Sequence, residues 1–215
     1  MLLYYITDRS QFPGDEASRR RQLLENITEA ARSGIDYVQL REKDLSTHDL
    51  ETLAREVVAI LHELRTGNRK LKTGFLINSR TDVALACGAD GVHLRSDEIT
   101  PAEARRIWTQ SGAVTRGTFG VSCHTQTEVA EAAAQGADYV VFGPVFEKEL
   151  VAPAGLVALR EACKENIPVF ALGGVTMANA ESCIQAGAAG VAGIRLFQTS
   201  NLREVVAALR RPAAQ

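Results

Sequence analysis

Five short stretches bring anion-binding or proton-moving side chains together along the chain. They are Thr7-Asp8-Arg9, Gln39-Leu40-Arg41-Glu42-Lys43, Asn78-Ser79-Arg80, His93-Leu94-Arg95-Ser96-Asp97-Glu98 and Ser122-Cys123-His124-Thr125. Side chains alternate along an extended strand, so Gln39, Arg41 and Lys43 share one side. A buried interior tolerates an amide and two cations there only where they meet an anion. His124 adds a group that titrates near neutrality and can both take and return a proton. Two glycine-bearing stretches add a different chemistry: Gly173-Gly174 shortly before Thr176, and Gly193-Ile194-Arg195 at the end of an apolar run. Glycines in such places expose backbone N–H groups that cradle phosphate. The expected ligand carries at least one phosphate, with a second anionic group for the Arg and Lys side chains.

These stretches need a scaffold that delivers them to one rim. A theme recurs at Gly34-Ile35-Asp36-Tyr37-Val38, Gly88-Ala89-Asp90-Gly91-Val92, Gly136-Ala137-Asp138-Tyr139-Val140 and Gly187-Ala188-Ala189-Gly190-Val191, at intervals of 54, 48 and 51 residues. It reads as a helix ended by glycine in a left-handed conformation, then a tight turn into a strand. One further strand-like run lies between copies. The predicted strands are 2–7, 37–41, 74–78, 91–94, 118–122, 139–145, 168–173 and 190–195, each followed by a helix-period segment. The clearest helix is 47–65, with Leu50, Leu53, Ala54, Val57, Leu61 and Leu64 on one face. Ser46–Asp49, Thr100–Glu103 and Thr125–Glu128 fit the capping-box pattern, with Pro101 as an N1 proline. Near-continuous apolar strands are those of a buried parallel sheet. Eight strand–helix units predict a single (β/α)₈ TIM barrel over 1–211, with a short tail at 212–215. A doubly wound open sheet fits less well, because no Gly-x-Gly-x-x-Gly turn follows the first strand. In a barrel the polar stretches fall at the C-terminal strand ends, where barrel function sits.

Composition narrows the partners. The 215 residues carry 24 Lys plus Arg against 26 Asp plus Glu, for a net charge of −2. That balance argues against nucleic acid or a membrane surface as partner. No apolar run approaches the roughly 20 residues of a transmembrane helix. The N-terminus has no basic leader, so a cytoplasmic protein is expected. Cys87, Cys123, Cys163 and Cys183 lack metal-knuckle or redox spacing and read as reduced, mostly buried thiols. His48 and His62 are expected on the surface, and His93, inside an apolar strand, in a structural role.

Six blocks in series carry a family likeness: Tyr5-Ile6-Thr7-Asp8-Arg9, Gln39-Leu40-Arg41-Glu42-Lys43, Gly91-Val92-His93-Leu94, Gly120-Val121-Ser122-Cys123-His124-Thr125, Phe142-Gly143-Pro144-Val145-Phe146 and Ala171-Leu172-Gly173-Gly174-Val175. Over almost the whole chain the sequence resembles the thiamine-phosphate synthase/TenI superfamily of (β/α)₈ barrels, which handle thiazole phosphate. The synthase branch joins an aminopyrimidine methyl diphosphate to thiazole phosphate and releases diphosphate. That resemblance implies a diphosphate site at Gln39, Arg41, Lys43 and Asn78; the strand-end reading adds Arg80 to the same rim, and Lys148 is a stand-in for the missing loop lysine. The resemblance implies a catalytic serine at Ser122 and thiazole-phosphate loops at Gly173, Gly174, Gly193, Ile194 and Arg195. It also implies Mg²⁺ at Asp97 and Glu98.

The sequence departs from the synthase pattern in two places. Ser79 stands where a metal carboxylate is expected, and the loop Phe146–Leu156 lacks the Thr/Lys motif. Both departures resemble the TenI branch, some members of which aromatise a thiazole carboxylate phosphate by metal-free proton transfer, with His124 as the base. The leading expectation is therefore a thiazole tautomerase with no cofactor. The alternative is a divergent synthase that uses Mg²⁺, supported by the retained Gln39/Arg41/Lys43/Asn78 set. A non-catalytic binder of the phosphorylated thiazole is the second alternative. The resemblance also implies a homo-oligomer.

Overall fold

Each apolar run becomes a strand and each helix-period segment packs over it. The computed structural model describes residues 1–67, 71–147 and 152–211. The order is β1 (Leu2–Ile6), α1 (Glu16–Ser33), β2 (Tyr37–Leu40), α2 (Thr47–Thr66), β3 (Gly74–Asn78), α3 (Thr81–Cys87), β4 (Gly91–Leu94) and α4 (Pro101–Gln110). It continues with β5 (Thr118–Cys123), α5 (Gln126–Ala134), β6 (Tyr139–Phe142), α6 (Gly155–Ala162), β7 (Val169–Ala171), α7 (Ala180–Gln185), β8 (Gly190–Gly193) and α8 (Leu202–Arg210). Neighbouring strands are all parallel, and β8 pairs with β1 to close the barrel. This is the expected (β/α)₈ barrel. The predicted tail 212–215 lies outside the described residues.

Strand alternation splits the interior into two cores. Val38 and Leu40, Val92 and Leu94, and Val121 and Cys123 face outward into the layer under the helices. Within it, Leu50, Leu53, Ala54, Val57 and Leu61 of α2 are buried, each leucine contributing about 1.5–3 kcal/mol. The inward set is Tyr4, Ile6, Leu76, Tyr139, Val141, Phe170 and Ala192, with Tyr37 against it. Three of the chain's four tyrosines thus lie inside the barrel, where branched aliphatic residues are usual. Their rings meet edge-on or stacked at 5.5–5.8 Å between centroids.

The recurring theme closes the bottom of the barrel. Gly34 and Gly88 end α1 and α3 in the left-handed conformation, φ 93° and 74°. The aspartate two residues later accepts a backbone N–H from the preceding strand: Asp36 from Leu3, Asp90 from Phe75 and Asp138 from Phe119, at 2.7–2.8 Å. Each also takes an arginine: Arg210, Arg65 and Arg105. The fourth copy has Ala189 and lacks this clamp.

Several edges differ from expectation. β6 stops at Phe142 and β8 at Gly193. Pro144 has no N–H for the ladder, and Ile194 turns back to accept from the N–H groups of Phe197 and Gln198. Only Thr100–Glu103 closes both arms of a capping box. Asp49, one methylene shorter than Glu, meets the Ser46 hydroxyl, and Glu128 reaches past Thr125 to the His124 N–H.

Candidate active site

The C-terminal strand ends meet over the inward aromatic core. Gln39 is buried; its Nε2 donates to Asn78 Oδ1 at 2.8 Å and its Oε1 accepts from the Tyr4 hydroxyl at 3.2 Å. Asn78 Nδ2 donates in turn to Ser79 Oγ at 2.9 Å. Tyr4 Oη lies 2.9 Å from Tyr139 Oη, which lies 3.2 Å from His93 Nδ1. His93 Nε2 lies 2.9 Å from Ser122 Oγ. Burial pushes the His93 imidazole down to about 3, assisted by the Arg41 charge, so it is neutral at ordinary pH. Burial also pushes the Tyr4 and Tyr139 hydroxyls far above their usual range.

Arg41 stands at the mouth at the end of β2. It is half-buried, and its guanidinium makes no hydrogen bond or ion pair with a described side chain. Desolvation disfavours its charge and Arg95 repels it, against attraction from Asp8 and Glu42. The backbone beneath it is fixed by a buried cluster. Glu42 accepts from the Thr7 hydroxyl and from Arg9 N and Nη1, Arg9 also grips Asp44 and Glu16, and Thr7 Oγ1 accepts the Arg41 N–H at 3.0 Å. Lys43 is exposed on the same loop. The expected cations thus separate. Arg41 faces the mouth, Arg80 is held by Asp82 and the Thr47 hydroxyl, and Arg195 is exposed in the turn after β8. Lys148 lies outside the described residues.

Asp97 and Glu98 follow β4. Asp97 pairs with Arg95 at 2.6 Å, and Glu98 Oε2 accepts the Arg95 N–H. Among the described residues no group of three or more His, Cys, Asp or Glu side chains is placed to hold a metal ion. Mg²⁺ needs only one or two protein carboxylates when substrate phosphates supply other ligands. The exposed Asp97 and the second carboxylate oxygen of Glu98 are of the donor type that mode uses.

His124 is exposed at the end of β5. Its Nδ1 lies 2.5 Å from the Gly143 carbonyl, which can only accept. Nδ1 therefore carries a hydrogen, and in the neutral imidazole Nε2 holds the lone pair. Between β7 and α7, Gly173 and Gly174 take φ 89° and 64°. An added Cβ would sit 2.5 Å from Pro144 at Gly173 and 2.7 Å from Phe146 at Gly174. Packing against the β6 loop therefore requires these glycines whether or not phosphate binds. The N–H groups of Gly173, Gly174 and Arg195 have no partner among the described residues. The Gln198 side chain bonds both N and O of Asp8, fastening the β8 turn to the end of β1.

Sequence reasoning missed Tyr4, Tyr139, Thr7 and Glu42 as site residues, and it took His93 as purely structural. The inward parity of Tyr4, Tyr139 and His93 was available as a signal; their mutual contact was not.

A family model described as thiamine monophosphate synthase matches residues 3–197. The chain belongs to that family. A Geobacter sulfurreducens protein provisionally named a thiamine-phosphate synthase is 45% identical over 195 residues, covering 88% of this chain and 83% of its own length. The Clostridium novyi thiamine-phosphate synthase is 38% identical, covering 88% and 86%. Among solved structures, a thiamine phosphate pyrophosphorylase from Pyrococcus furiosus superposes with a TM-score of 0.79 at 29% identity, covering 97% of this chain and 93% of its own. These relatives favour the synthase alternative over the leading tautomerase expectation. Ser79 and the altered β6 loop are departures within a member of that family.

Proposed function

We propose that this chain is a thiamine-phosphate synthase, joining an aminopyrimidine methyl diphosphate to thiazole phosphate. The observation that carries this reading is Arg41, a half-buried guanidinium at the mouth whose charge is disfavoured by desolvation and which, among the described residues, makes no side-chain hydrogen bond or ion pair. A proton-moving tautomerase uses its base; a synthase needs a cation where a diphosphate departs. The bond from the methylene carbon to the diphosphate oxygen breaks, and the electron pair leaves on the diphosphate. The thiazole nitrogen then donates its lone pair to that carbon and becomes cationic. No proton moves in either step.

Arg41 and Lys43 receive the diphosphate as its charge grows, which is stabilisation of the transition state more than of the bound substrate. The buried Arg9–Glu42–Thr7 cluster holds Arg41 in place beforehand. Gln39 and Asn78 hold the floor beneath. The N–H groups of Gly173, Gly174 and Arg195 donate to the thiazole phosphate. Asp97 and Glu98 would hold Mg²⁺, which would supply positive charge opposite the departing diphosphate. His124 has no proton to move in this reaction and serves at the rim.

The second reading, the tautomerase, is favoured by the lone pair at His124 Nε2. One comparison separates them. Purified protein is given both substrates with Mg²⁺ and, separately, the thiazole carboxylate phosphate tautomer. The synthase reading expects thiamine phosphate and diphosphate in equal amounts and no His124-dependent aromatisation. Aromatisation that His124→Ala abolishes, with no thiamine phosphate formed, would establish the tautomerase.

A further inference from the structure

Seven polar side chains form one unbroken hydrogen-bonded path across the barrel, from Ser122 on β5 to Ser79 after β3. Its direction follows from counting protons. Gln39 Nε2 faces Asn78 Oδ1, so its Oε1 faces Tyr4, and the single Tyr4 proton goes to that oxygen. Tyr4 has none left for Tyr139, so Tyr139 donates to Tyr4 Oη. Tyr139 then has none for the imidazole, so His93 Nδ1 donates to Tyr139 Oη. A neutral imidazole has one N–H, so Nε2 accepts, and Ser122 donates its proton to it. At the other end Ser79 accepts from Asn78 Nδ2 and keeps its own proton.

The path is built into the packing. Tyr4, Gln39, His93 and Tyr139 are all buried, and their desolvation resists any change of protonation. Gly120 on β5 makes room for the Tyr139 ring, since an added Cβ there would lie 2.2 Å from Tyr139 Oη.

We propose that His93 is a positioning residue: held as the Nδ1–H tautomer by Tyr139, Tyr4 and Gln39, it takes the Ser122 proton at Nε2 and presents Ser122 to the mouth as a hydrogen-bond acceptor alone. The mouth is thereby polarised, with an acceptor at Ser122 and a donor at Ser79. A ligand bringing an N–H group or positive charge to Ser122 is favoured there, and one bringing a lone pair is disfavoured. The effect on turnover rests on the synthase reading above; the tautomer does not.

Two measurements test it. In protein labelled with ¹⁵N at histidine, His93 is assigned by the signal that His93→Gln removes. The expected spectrum shows Nδ1 protonated and Nε2 unprotonated, and loss of that preference in Tyr139→Phe. The opposite tautomer in the wild type means a reversed path and overturns the proposal, whatever reaction the protein catalyses. The second is a cycle of His93→Phe and Ser122→Ala. His93→Phe should lower kcat/KM about 10- to 100-fold in the wild-type background and by less than about threefold when Ser122 is already alanine. Losses that multiply fully show that His93 does not act through Ser122, and overturn it. Loss of synthase activity in every background, with the Nδ1–H tautomer intact, would count against the synthase reading and leave the path standing.

Discussion

Arg41 has left part of its water and, among the described residues, forms no ion pair beyond the longer-range pull of Asp8 and Glu42, a desolvation cost that a bound anion offsets. The Arg41→Gln variant is expected to lose about 1.5–3 kcal/mol of binding to the leaving group, a roughly 10- to 100-fold fall in kcat/KM for the pyrimidine diphosphate. Arg41→Lys should recover only part of this, because an ammonium lacks the planar fork that meets phosphate bidentately. Steady-state kinetics on the two variants checks both. His93 makes a second expectation. Its folded value of about 3 lies below the ordinary 6.5, so the unfolded chain binds the extra proton between those values. Wild-type stability therefore falls as pH drops below about 6.5. Relative to His93→Gln the fall should be about 1.4 kcal/mol per pH unit between pH 6 and 4, read by urea denaturation at each pH. Equal slopes in the two proteins would contradict a neutral buried His93. At this scale the sequence exposed Gln39 and Arg41 by strand parity, and Asn78 by its place at a strand end. It hid the Tyr4–Tyr139 and Tyr139–His93 contacts, which join residues 135 and 46 apart. It also hid that Arg80 is occupied by Asp82, since a sequence does not say which neighbour a long side chain chooses.

The elements are tied at the bottom by the aspartates of the recurring theme and opened at the top by its loops. Asp138 accepts the Phe119 N–H and pairs with Arg105 and Arg116. Asp138→Ala strands a backbone donor and should cost about 1–3 kcal/mol of stability. Because this end of the barrel is remote from the mouth, kcat/KM should stay within about twofold. Denaturation curves alongside kinetics check the separation; a large kinetic loss at unchanged stability would contradict it. The Thr100→Ala change should remove about 1 kcal/mol, since Thr100–Glu103 closes both arms of its capping box. All eight strands and the helix starts at Ser46, Thr100 and Thr125 were legible from periodicity and local capping chemistry. The aspartate clamps were not, although their spacing was, because the partner N–H lies one strand away. The ends of β6 and β8 were overrun because apolar content continues past the point where Pro144 and the turn at Ile194 stop the ladder.

For the molecule as a whole, closing the sheet brings eight strand ends to one mouth, where Arg41 stands while Arg80 and Arg95 are held by Asp82 and Asp97. The barrel and the approximate membership of its rim could be read from the order of the polar stretches. The choice between reactions could not. Ser79 and the missing Thr/Lys motif are local departures, while an Arg41 with no ion pair among the described residues exists only once Glu42 and Asp8 are held by other groups. Phosphorus NMR of the purified protein with aminopyrimidine methyl diphosphate, thiazole phosphate and Mg²⁺ addresses that choice directly. The account predicts that the diphosphate-ester signals disappear as inorganic diphosphate and thiamine phosphate grow in equal amounts, at a rate that Arg41→Gln cuts about 10- to 100-fold. Unchanged substrate signals from folded wild-type protein, or a rate indifferent to Arg41, would contradict it.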